Sequence, residues 1–495
     1  MTRRGFLGAS VLGAVTACNA SAAGDGWVEL FDGHSLNGWR PSEHKDSWKV
    51  VEGQLAADGP RSHLFYTGPV HGAMFKNFEL EVEALAHPGC NSGVYFHTAY
   101  QETGFPEKGF EIQIDNTATG EGGYREHKKT GSLYGLRNIY KQIVQDDRWF
   151  KISAAVRGKN VQIRIDGMLV VDYTEATPPV IPDGGERQRF LNRGTFALQC
   201  HNDGSLARFR SIRVRPLPDD TPTPGPAPVV DDVYRKIIND GRHNIPMVDY
   251  HVHLKGGLTL EQALAKSRND GIQYGLAVNC GQGFPVDRDD AARAFVDGMQ
   301  GHPIFIAMQA EGREWTHMFS RRAAALFDYI FTDSMTWTDN RGRRMRLWIP
   351  EEVGTIPDAQ EFMELLVERA VGILEHEPID IYANPTFLPD VLAADYDRLW
   401  TAERMEKVAK AAAANHVAVE LNTRYKLPSA AFVRTAKAAG CKFSMGTNNT
   451  GPEDLRRCEY GLRMIDECQL VWQDFFVPGE LWPRAIERKG SALRA

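Results

Sequence analysis

Two stretches of this sequence carry side chains whose types and spacing could do chemistry. In residues 110–115 (FEIQID), apolar and polar side chains alternate as they do along a strand. Glu111, Gln113 and Asp115 therefore share one face. A row of carboxylate, amide and carboxylate can bind sugar hydroxyls or transfer a proton. This face is the first candidate site, and an ordinary half-buried strand with a polar outer face is the plainer alternative.

The second stretch is residues 249–253 (DYHVH). Alternation puts His251 and His253 on one face at the end of a strand. Two imidazoles in this arrangement are typical of a metal site, because neutral histidine nitrogens are good ligands for ions such as Zn²⁺. We therefore predict a candidate site in the C-terminal half of the chain as well.

Further polar candidates of the N-terminal half come from three clusters. Taken singly, each is more often a packing residue whose polar atoms are satisfied inside the fold. Together with the 110–115 row they fit a polar concave sheet face, which on a sandwich usually means carbohydrate. Spacing alone leaves binding and catalysis equally open. These candidates are Asn91, His97, Tyr134, His201 and Arg210.

The elements that must position these residues change along the chain. Residues 26–216 are predicted to form one all-β domain, because short alternating runs recur between Gly, Asn and Asp turns. About a dozen such strands predict a two-sheet sandwich. Proline is so frequent in the following segment, residues 217–230, that it is predicted to be an extended linker.

From residue 231 to residue 495, short apolar runs alternate with helical segments. About seven such β/α units predict a parallel barrel, one unit short of the usual eight. The predicted fold class is therefore multidomain, with an all-β sandwich followed by an α/β barrel. In such barrels chemistry gathers where the strands end.

The composition limits the possible partners. The chain has 495 residues and a net charge of −7, and it lacks a basic stripe with interleaved aromatic residues. These features argue against a nucleic-acid partner. Six cysteines follow Cys18, without the spacing of a disulfide framework or a CxxC motif. Cysteine chemistry is therefore not predicted.

The first 23 residues have the features of an export signal. Residues 2–7 (TRRGFL) match the twin-arginine pattern, and the apolar stretch that follows is too short to span a bilayer. Residues 15–18 (VTAC) resemble a lipobox, in which Cys18 would become a lipidated N-terminus, whereas cleavage near residues 20–22 would discard it. We therefore expect an exported protein, either periplasmic or lipid-anchored to the cell envelope.

Several motifs of the sandwich half occur in the order found in one family. Over residues 26–216 the sequence resembles the 3-keto-disaccharide hydrolase family, which has a concanavalin-like jelly-roll sandwich. His97 stands where a positively charged residue is more usual in that family. The motifs are residues 26–33 (GWVELFDG), 36–39 (LNGW), 91–96 (NSGVYF), 110–116 (FEIQIDN) and 131–135 (GSLYG).

The resemblance implies a carbohydrate substrate that is already oxidised at C3, and elimination at C1 after loss of the C2 proton. It also suggests roles for the candidate residues. The general base would be Glu111 or His201, and Tyr134, His97 or a bound divalent metal such as zinc or manganese would stabilise the enolate. Polar side chains would bind the sugar hydroxyls, and these are Asn91, Gln113, Asp115 and Arg210.

The barrel half, residues 231–480, resembles the PHP-type phosphoesterase family and, more distantly, amidohydrolases. That resemblance implies a metal site on His251, His253 and Glu311, with His317 as a further ligand and Glu420 among the nearby carboxylates. Neutral residues replace expected ligands after the second, fifth and seventh strands, so a complete multi-metal cluster is not expected. A single metal and a barrel kept only for binding or scaffolding remain equally open. The replacements are Asn279-Cys280, Asn384-Pro385 and residues 446–449 (GTNN).

Three functions are consistent with this sequence. In the first, the sandwich cleaves 3-keto-glycosides by elimination and hydration, giving net hydrolysis. In the second, the sandwich binds carbohydrate and delivers a metal-dependent barrel hydrolase. In the third, the protein is a surface glycan-binding lipoprotein without catalysis. The motifs of the sandwich favour the first, and the replaced barrel ligands weigh against the second.

Overall fold

The computed structural model describes residues 25–117, 120, 123–181, 189–339 and 342–494. The export signal predicted for residues 1–23, with Cys18, lies outside these residues. Among the described residues there is no helix with the length and apolar character needed to cross a membrane.

The N-terminal half consists of short strands joined by tight turns. Buried and outward-facing side chains alternate along these strands; in Asn77–Ala86, for example, glutamates face outwards and Phe78, Leu80 and Val82 are buried. The strands are β1 (Val28–Glu29), β2 (Trp39–Pro41), β3 (Trp48–Val51), β4 (Gln54–Ala57), β5 (Ser62–Tyr66), β6 (Asn77–Ala86), β7 (Asn91–Thr98), β8 (Phe110–Asp115), β9 (Trp149–Arg157), β10 (Asn160–Ile165), β11 (Met168–Thr174), β12 (Thr195–Cys200) and β13 (Ala207–Leu217).

These strands form two antiparallel sheets that pack face to face. The larger sheet has the order β11-β10-β9-β6-β13-β4-β3, with β1 added beside β13, and the smaller has the order β2-β5-β12-β7-β8. Phe110, Ile112 and Ile114 of β8 lie in the core between the sheets. The opposite face of β8 is buried too. Residues 123–145 pack beside it, where the Lys129 ammonium lies 3.5 Å from the Asp115 carboxylate; we call these residues the covering segment.

Between the sandwich and the barrel, the proline-rich chain follows the sandwich surface. The Thr223 hydroxyl oxygen accepts a hydrogen bond from the Lys159 backbone N–H at 2.8 Å, and the Asn77 side chain donates to the Pro218 carbonyl at 2.8 Å. The linker is therefore fastened to the first domain along part of its length.

The C-terminal half contains a closed barrel of seven parallel strands, as the repeating β/α pattern predicts. The barrel strands are β14 (Val248–Val252), β15 (Gln273–Cys280), β16 (Phe305–Ala310), β17 (Tyr329–Thr332), β20 (Ile381–Tyr382), β21 (Ala418–Asn422) and β22 (Phe443–Gly446), and a small hairpin is formed by β18 (Thr336–Thr338) and β19 (Arg344–Arg346).

Helices surround the barrel, and their apolar faces pack on its strands. Several begin with a side-chain cap; Thr259, for example, forms a reciprocal capping box with Gln262. The helices are α1 (Asp232–Arg242), α2 (Leu260–Asp270), α3 (Asp289–Met299), α4 (Trp315–Met318), α5 (Arg321–Ala324), α6 (Pro350–Val353), α7 (Ala359–His376), α8 (Asp390–Ala393), α9 (Tyr396–Leu399), α10 (Ala402–Ala414), α11 (Ala430–Ala438), α12 (Glu459–Glu467) and α13 (Ala485–Lys489).

The covering segment joins the two domains at the amino-terminal end of the barrel strands. The Lys141 ammonium donates to Asp328, directly before β17, at 2.7 Å. The Gln273 side chain, at the start of β15, accepts from the backbone N–H of Tyr140 at 2.8 Å. The sandwich therefore docks on the end of the barrel opposite to the one where barrel chemistry usually gathers.

Candidate active site

The polar row of β8 lines one wall of a cavity of about 210 Å³ between the small sheet, the covering segment and helix α1. This volume is below the roughly 300–1,000 Å³ of pockets for drug-sized ligands, and it suits a single sugar ring. The lining residues are Asn91, Tyr95, Phe105, Glu111, Gln113, Glu126, Tyr134, Arg189, Gln199, His201 and Arg242.

Glu111 occupies the centre of this wall. It pairs with Tyr95 across β7 and β8, and only 6% of its surface is exposed. Burial raises the pKa of its carboxyl to about 7, and the charge of Glu126 also raises it, whereas Arg189 and Tyr95 act in the opposite direction. A carboxyl with such a pKa exchanges a proton readily near neutral pH.

A glycine makes room for this carboxylate. A Cβ atom on Gly93 would lie 2.5 Å from the Glu111 carboxylate oxygen Oε1. The side chain of Glu111 therefore lies flat across β7, over a position that only glycine leaves open. Sequence alternation gave Gly93 no role, because a missing side chain carries no chemical signal of its own.

The second carboxylate of the cavity, Glu126, is paired. The Lys128 ammonium donates to its Oε1 at 3.0 Å, and the Tyr134 hydroxyl donates to its Oε2 at 2.9 Å. The pKa of Glu126 is lowered despite burial, because Lys128 and these hydrogen bonds favour its charged form. Glu126 is therefore ionised at neutral pH, whereas Glu111 gains and loses its proton near that pH. The two carboxyl groups of one cavity thus differ in charge state.

Tyr134 is held beside Glu111 by the backbone. Its N–H donates to the Glu111 carbonyl at 3.0 Å, which continues the pairing of residues 130–134 along the edge of β8. Burial raises the pKa of the Tyr134 hydroxyl well above its usual range, and Glu126 adds to the effect. Tyr134 therefore stays protonated and acts as a hydrogen-bond donor.

The remaining wall comes from β12 and the residues that follow it. The Gln199 side chain donates to the Tyr95 hydroxyl at 3.0 Å. His201 lies at the rim, with its Nδ1 2.9 Å from the Asn202 side-chain oxygen and its ring 5.2 Å from the Phe105 ring. Asn91 accepts from the Gln113 side chain at 3.4 Å. These polar groups line the same cavity as Glu111.

Three predicted site residues lie elsewhere. His97 is turned into the core, where Phe78 and Phe96 pack against its ring and its Nε2 is 2.8 Å from the Lys76 carbonyl. Burial lowers its pKa to about 4, so the imidazole is neutral and cannot supply charge to an enolate. The structure therefore places His97 in the core, outside the cavity that contains Glu111.

Asp115 and Arg210 are also outside the cavity. Asp115 is fully buried beside the Lys129 ammonium, at 3.5 Å. Arg210 belongs to the larger sheet, where it pairs with Glu83 and covers the Trp149 ring. Both side chains have structural partners away from the cavity, so neither is placed to bind the same ligand as Glu111.

The structure adds cavity residues that the sequence reasoning did not select. Tyr95 and Gln199 could have been found, since each alternates with chosen neighbours on its own strand. Glu126, Arg189 and Arg242 come from irregular segments or from the other domain, where no periodic signal exists.

The barrel histidines lie at the carboxyl end of β14, with ring centres 5.2 Å apart. His251 Nδ1 is 2.6 Å from a Glu420 carboxylate oxygen, and His253 Nδ1 is 3.0 Å from the Ala277 carbonyl. Glu311, the predicted third ligand, instead accepts from the Asn279 amide at 2.7 Å. The proposed further ligand His317 is exposed on α4.

Within the ranges that the structure describes, no group of three or more His, Cys, Asp or Glu side chains is arranged to hold a metal ion. Neutral amides satisfy the carboxylates instead: Asn384 donates to Asp333 at 2.8 Å, and Asn422 donates to Glu420 at 3.0 Å. The three predicted ligands are therefore not gathered around one point, although the buried Nε2 of His251 has no hydrogen-bond partner. The divalent metal at His251, His253 and Glu311 stays a prediction.

Comparison with known proteins addresses the sandwich most directly. Residues 26–215 match a family model described as the 3-keto-alpha-glucoside-1,2-lyase-like domain. A curated 3-keto-disaccharide hydrolase of Bacteroides thetaiotaomicron is 32% identical over 79 residues, which are 14% of this chain and 27% of that protein. The match thus spans about a quarter of the relative's length.

Two solved structures are each similar to one part of the chain. A carbohydrate-binding module from Bacillus subtilis has 16% identity and a TM-score of 0.24, over 36% of this chain and 94% of that one. A histidinol phosphate phosphatase from Lactococcus lactis has 11% identity and a TM-score of 0.35, over 47% of this chain and 100% of that one. The predicted resemblance of the barrel to PHP-type phosphoesterases stays a prediction.

Because Glu311 is buried in the barrel, we expect the stability of the protein to depend on pH. Burial, with the charge of Asp333, raises the pKa of Glu311 above its ordinary 4.5, so the protonated form stabilises the folded state. This contribution is complete below pH 4.5 and is lost as the pH rises towards the folded-state pKa, by up to about 1.4 kcal/mol for each pH unit.

We expect Glu311→Gln, which stays neutral, to reduce this loss of stability. Denaturant unfolding followed from pH 5 to pH 8 measures it, with the exposed Glu403→Gln as the control that should match the unchanged protein. Equal pH dependence in Glu311→Gln and the unchanged protein would contradict the assignment.

Proposed function

We propose that this chain is a glycoside-cleaving enzyme that acts on sugars already oxidised at C3, and that its chemistry takes place in the sandwich cavity. The match of residues 26–215 to the 3-keto-alpha-glucoside-1,2-lyase-like domain supports the substrate class. The single observation that carries the site is the buried Glu111 carboxyl, whose pKa is about 7, in a cavity that suits one sugar ring.

The reaction begins with loss of the C2 proton. A ketone at C3 acidifies the C2–H bond, because the electron pair left behind is delocalised onto the ketone oxygen as an enolate. Glu111 takes this proton as the general base. Its position between the small sheet and the covering segment keeps water away from the carboxylate, which maintains its basicity near neutral pH.

The enolate then collapses and breaks the C1–O bond. The electron pair forms a C1–C2 double bond, and the leaving oxygen departs as an alcohol after it receives a proton from His201 at the cavity rim. Water adds its hydroxyl to C1 and returns a proton to His201, while Glu111 returns its proton to C2. The sum of these steps is hydrolysis of the glycoside.

The other polar groups of the cavity hold the ring. Gln113, Asn91 and Gln199 bind sugar hydroxyls, and the positive charge of Arg189, which lines the same cavity, favours the negative charge that develops on the enolate. Tyr134 fixes Glu126 beside them.

Glu111→Gln tests the base directly. Gln keeps the size of the side chain but cannot accept the C2 proton, so turnover of a 3-keto-glucoside by the full-length chain should fall by at least about 10²-fold. In the unchanged protein, kcat/KM should rise as the pH passes through about 7, because the base must be ionised.

The matched control is Glu83→Gln on the outer face of the larger sheet, which should leave turnover unchanged. Turnover that survives Glu111→Gln would remove the carboxylate from the mechanism. Binding of oxidised sugars by an unchanged protein that does not cleave them would favour the glycan-binding alternative.

Gly93→Ala tests the placement of the same carboxylate. The new methyl group would displace Glu111, and a displacement of about 1 Å can cost about 10²-fold in rate. The melting temperature should hardly change, because only the flexible end of one side chain must move. Gly298→Ala in helix α3, which has open space around it, is the control. Full activity in Gly93→Ala would show that the position of Glu111 is not critical.

We further propose that the chain is exported through its twin-arginine sequence and is anchored by lipid on Cys18. Replacement of both Arg3 and Arg4 by Lys should retain the protein in the cytoplasm of a host with a twin-arginine pathway. Cys18→Ala should release it from the membrane fraction without blocking export. Fractionation with immunoblotting measures both, and export of the Lys–Lys variant would contradict the assigned pathway.

A further inference from the structure

The cavity wall crosses the boundary between the two domains. Arg242 is the last residue of α1, which belongs to the barrel half, and it lines the cavity together with Glu111 and Tyr134 of the sandwich. The sandwich alone, which ends with β13 at Leu217, therefore lacks one wall of its own cavity.

The approach of Arg242 is accommodated by a second glycine. Gly135 has a positive φ of 78°, and a Cβ atom there would lie 2.9 Å from the Arg242 Cδ atom. The guanidinium carbon lies 6.0 Å from the centre of the Tyr134 ring. Gly93 and Gly135 thus give space to the two charged side chains that face the cavity from opposite domains.

Asn244, two residues after Arg242, fixes the covering segment to the barrel. The Asn244 side-chain oxygen accepts from the Lys128 ammonium at 2.9 Å and from the His127 N–H at 3.3 Å, and its amide donates to the Arg125 carbonyl at 2.6 Å. Asn244 has a φ of 67°, a conformation that asparagine tolerates better than most residues. The end of α1 and the covering segment are therefore fixed to each other.

Charge indicates what Arg242 contributes. Proton transfer from C2 to Glu111 moves one negative charge from the carboxylate to the sugar, while Glu126 stays ionised nearby. A guanidinium remains protonated at all relevant pH values, so Arg242 cannot be the acid, but it can stabilise an anion. Fixed charge of this kind acts most strongly where burial excludes water.

We propose that Arg242 is a substrate-contacting residue of the sandwich site, and that its positive charge stabilises the enolate; the barrel is then a part of the active site. This inference rests on the proposed 3-keto-glycoside cleavage. It gives the barrel a function at the amino-terminal end of its strands.

The test compares three variants of the full-length chain. Arg242→Ala should lower kcat for a 3-keto-glucoside by about 10²-fold, with a smaller change in KM, because the charge is needed in the transition state. Arg242→Lys should recover part of the loss. Arg235→Ala, which removes an exposed arginine from the same helix, should behave like the unchanged protein.

Guanidinium chloride at low, non-denaturing concentration separates a direct role from a structural one. It should restore part of the activity of Arg242→Ala and none of that of Glu111→Gln, and the melting temperature of Arg242→Ala should stay close to that of the unchanged protein. Unchanged kcat in Arg242→Ala would overturn the inference. So would a loss of activity that guanidinium does not rescue and that accompanies a lower melting temperature.

Failure of the inference about Arg242 can be distinguished from failure of the proposed function. If the unchanged protein and Arg235→Ala both cleave the 3-keto-glucoside but Arg242→Ala is equally active, only the contribution of the barrel is contradicted. If the unchanged protein cleaves no oxidised sugar, the proposed function fails, and the inference about Arg242 fails with it.

Discussion

The structure of the cavity depends on one buried ion pair, between Lys128 and Glu126. Lys128 is 0% exposed and Glu126 is 2% exposed. Loss of either partner would leave a buried charge uncompensated, which typically costs about 3–5 kcal/mol. The pair also connects three parts of the chain, because Glu126 accepts from Tyr134 at the edge of the small sheet and Lys128 donates to Asn244 in the barrel. The covering segment is therefore held in one conformation although it has no regular secondary structure.

The sequence was sufficient to predict the architecture, because period-two alternation and repeated β/α units both leave strong patterns. It was also sufficient to place Glu111 and Gln113 on one face of a strand. It could not predict that this face is buried, since the residues that cover it have no periodicity. Only their contacts with β8 and with the start of the barrel strands show their position.

The misplacement of His97 has a specific physical cause. Tyr95 pairs with Ala197 and Thr98 pairs with Thr195, so β7 contains one residue more than β12 between these pairs. Such a bulge interrupts the alternation, and His97 has a left-handed backbone with φ of 54°. Its side chain therefore points into the core, although Asn91 and Tyr95 on the same strand face the cavity. After a bulge, the alternation of residues no longer predicts which face of the strand a side chain occupies. A single sequence does not reveal where a bulge lies.

The two ends of the barrel differ in what they contribute. At the carboxyl end, asparagines donate neutral hydrogen bonds to buried carboxylates. At the amino-terminal end, Asn244, Gln273 and Asp328 bind the covering segment. In this chain the end of the barrel that usually serves stability is the one in contact with a candidate active site.

Because the barrel half supplies part of the wall of the sandwich cavity, the two domains are linked in evolution. A gene rearrangement that replaced the barrel by an unrelated domain would leave the sandwich fold complete, but with Arg242 missing and Lys128 without its Asn244 partner. Selection for the proposed activity would therefore act on both domains at once. Changes near the end of α1 also offer a route to new sugar preferences that leaves every strand of the sandwich untouched.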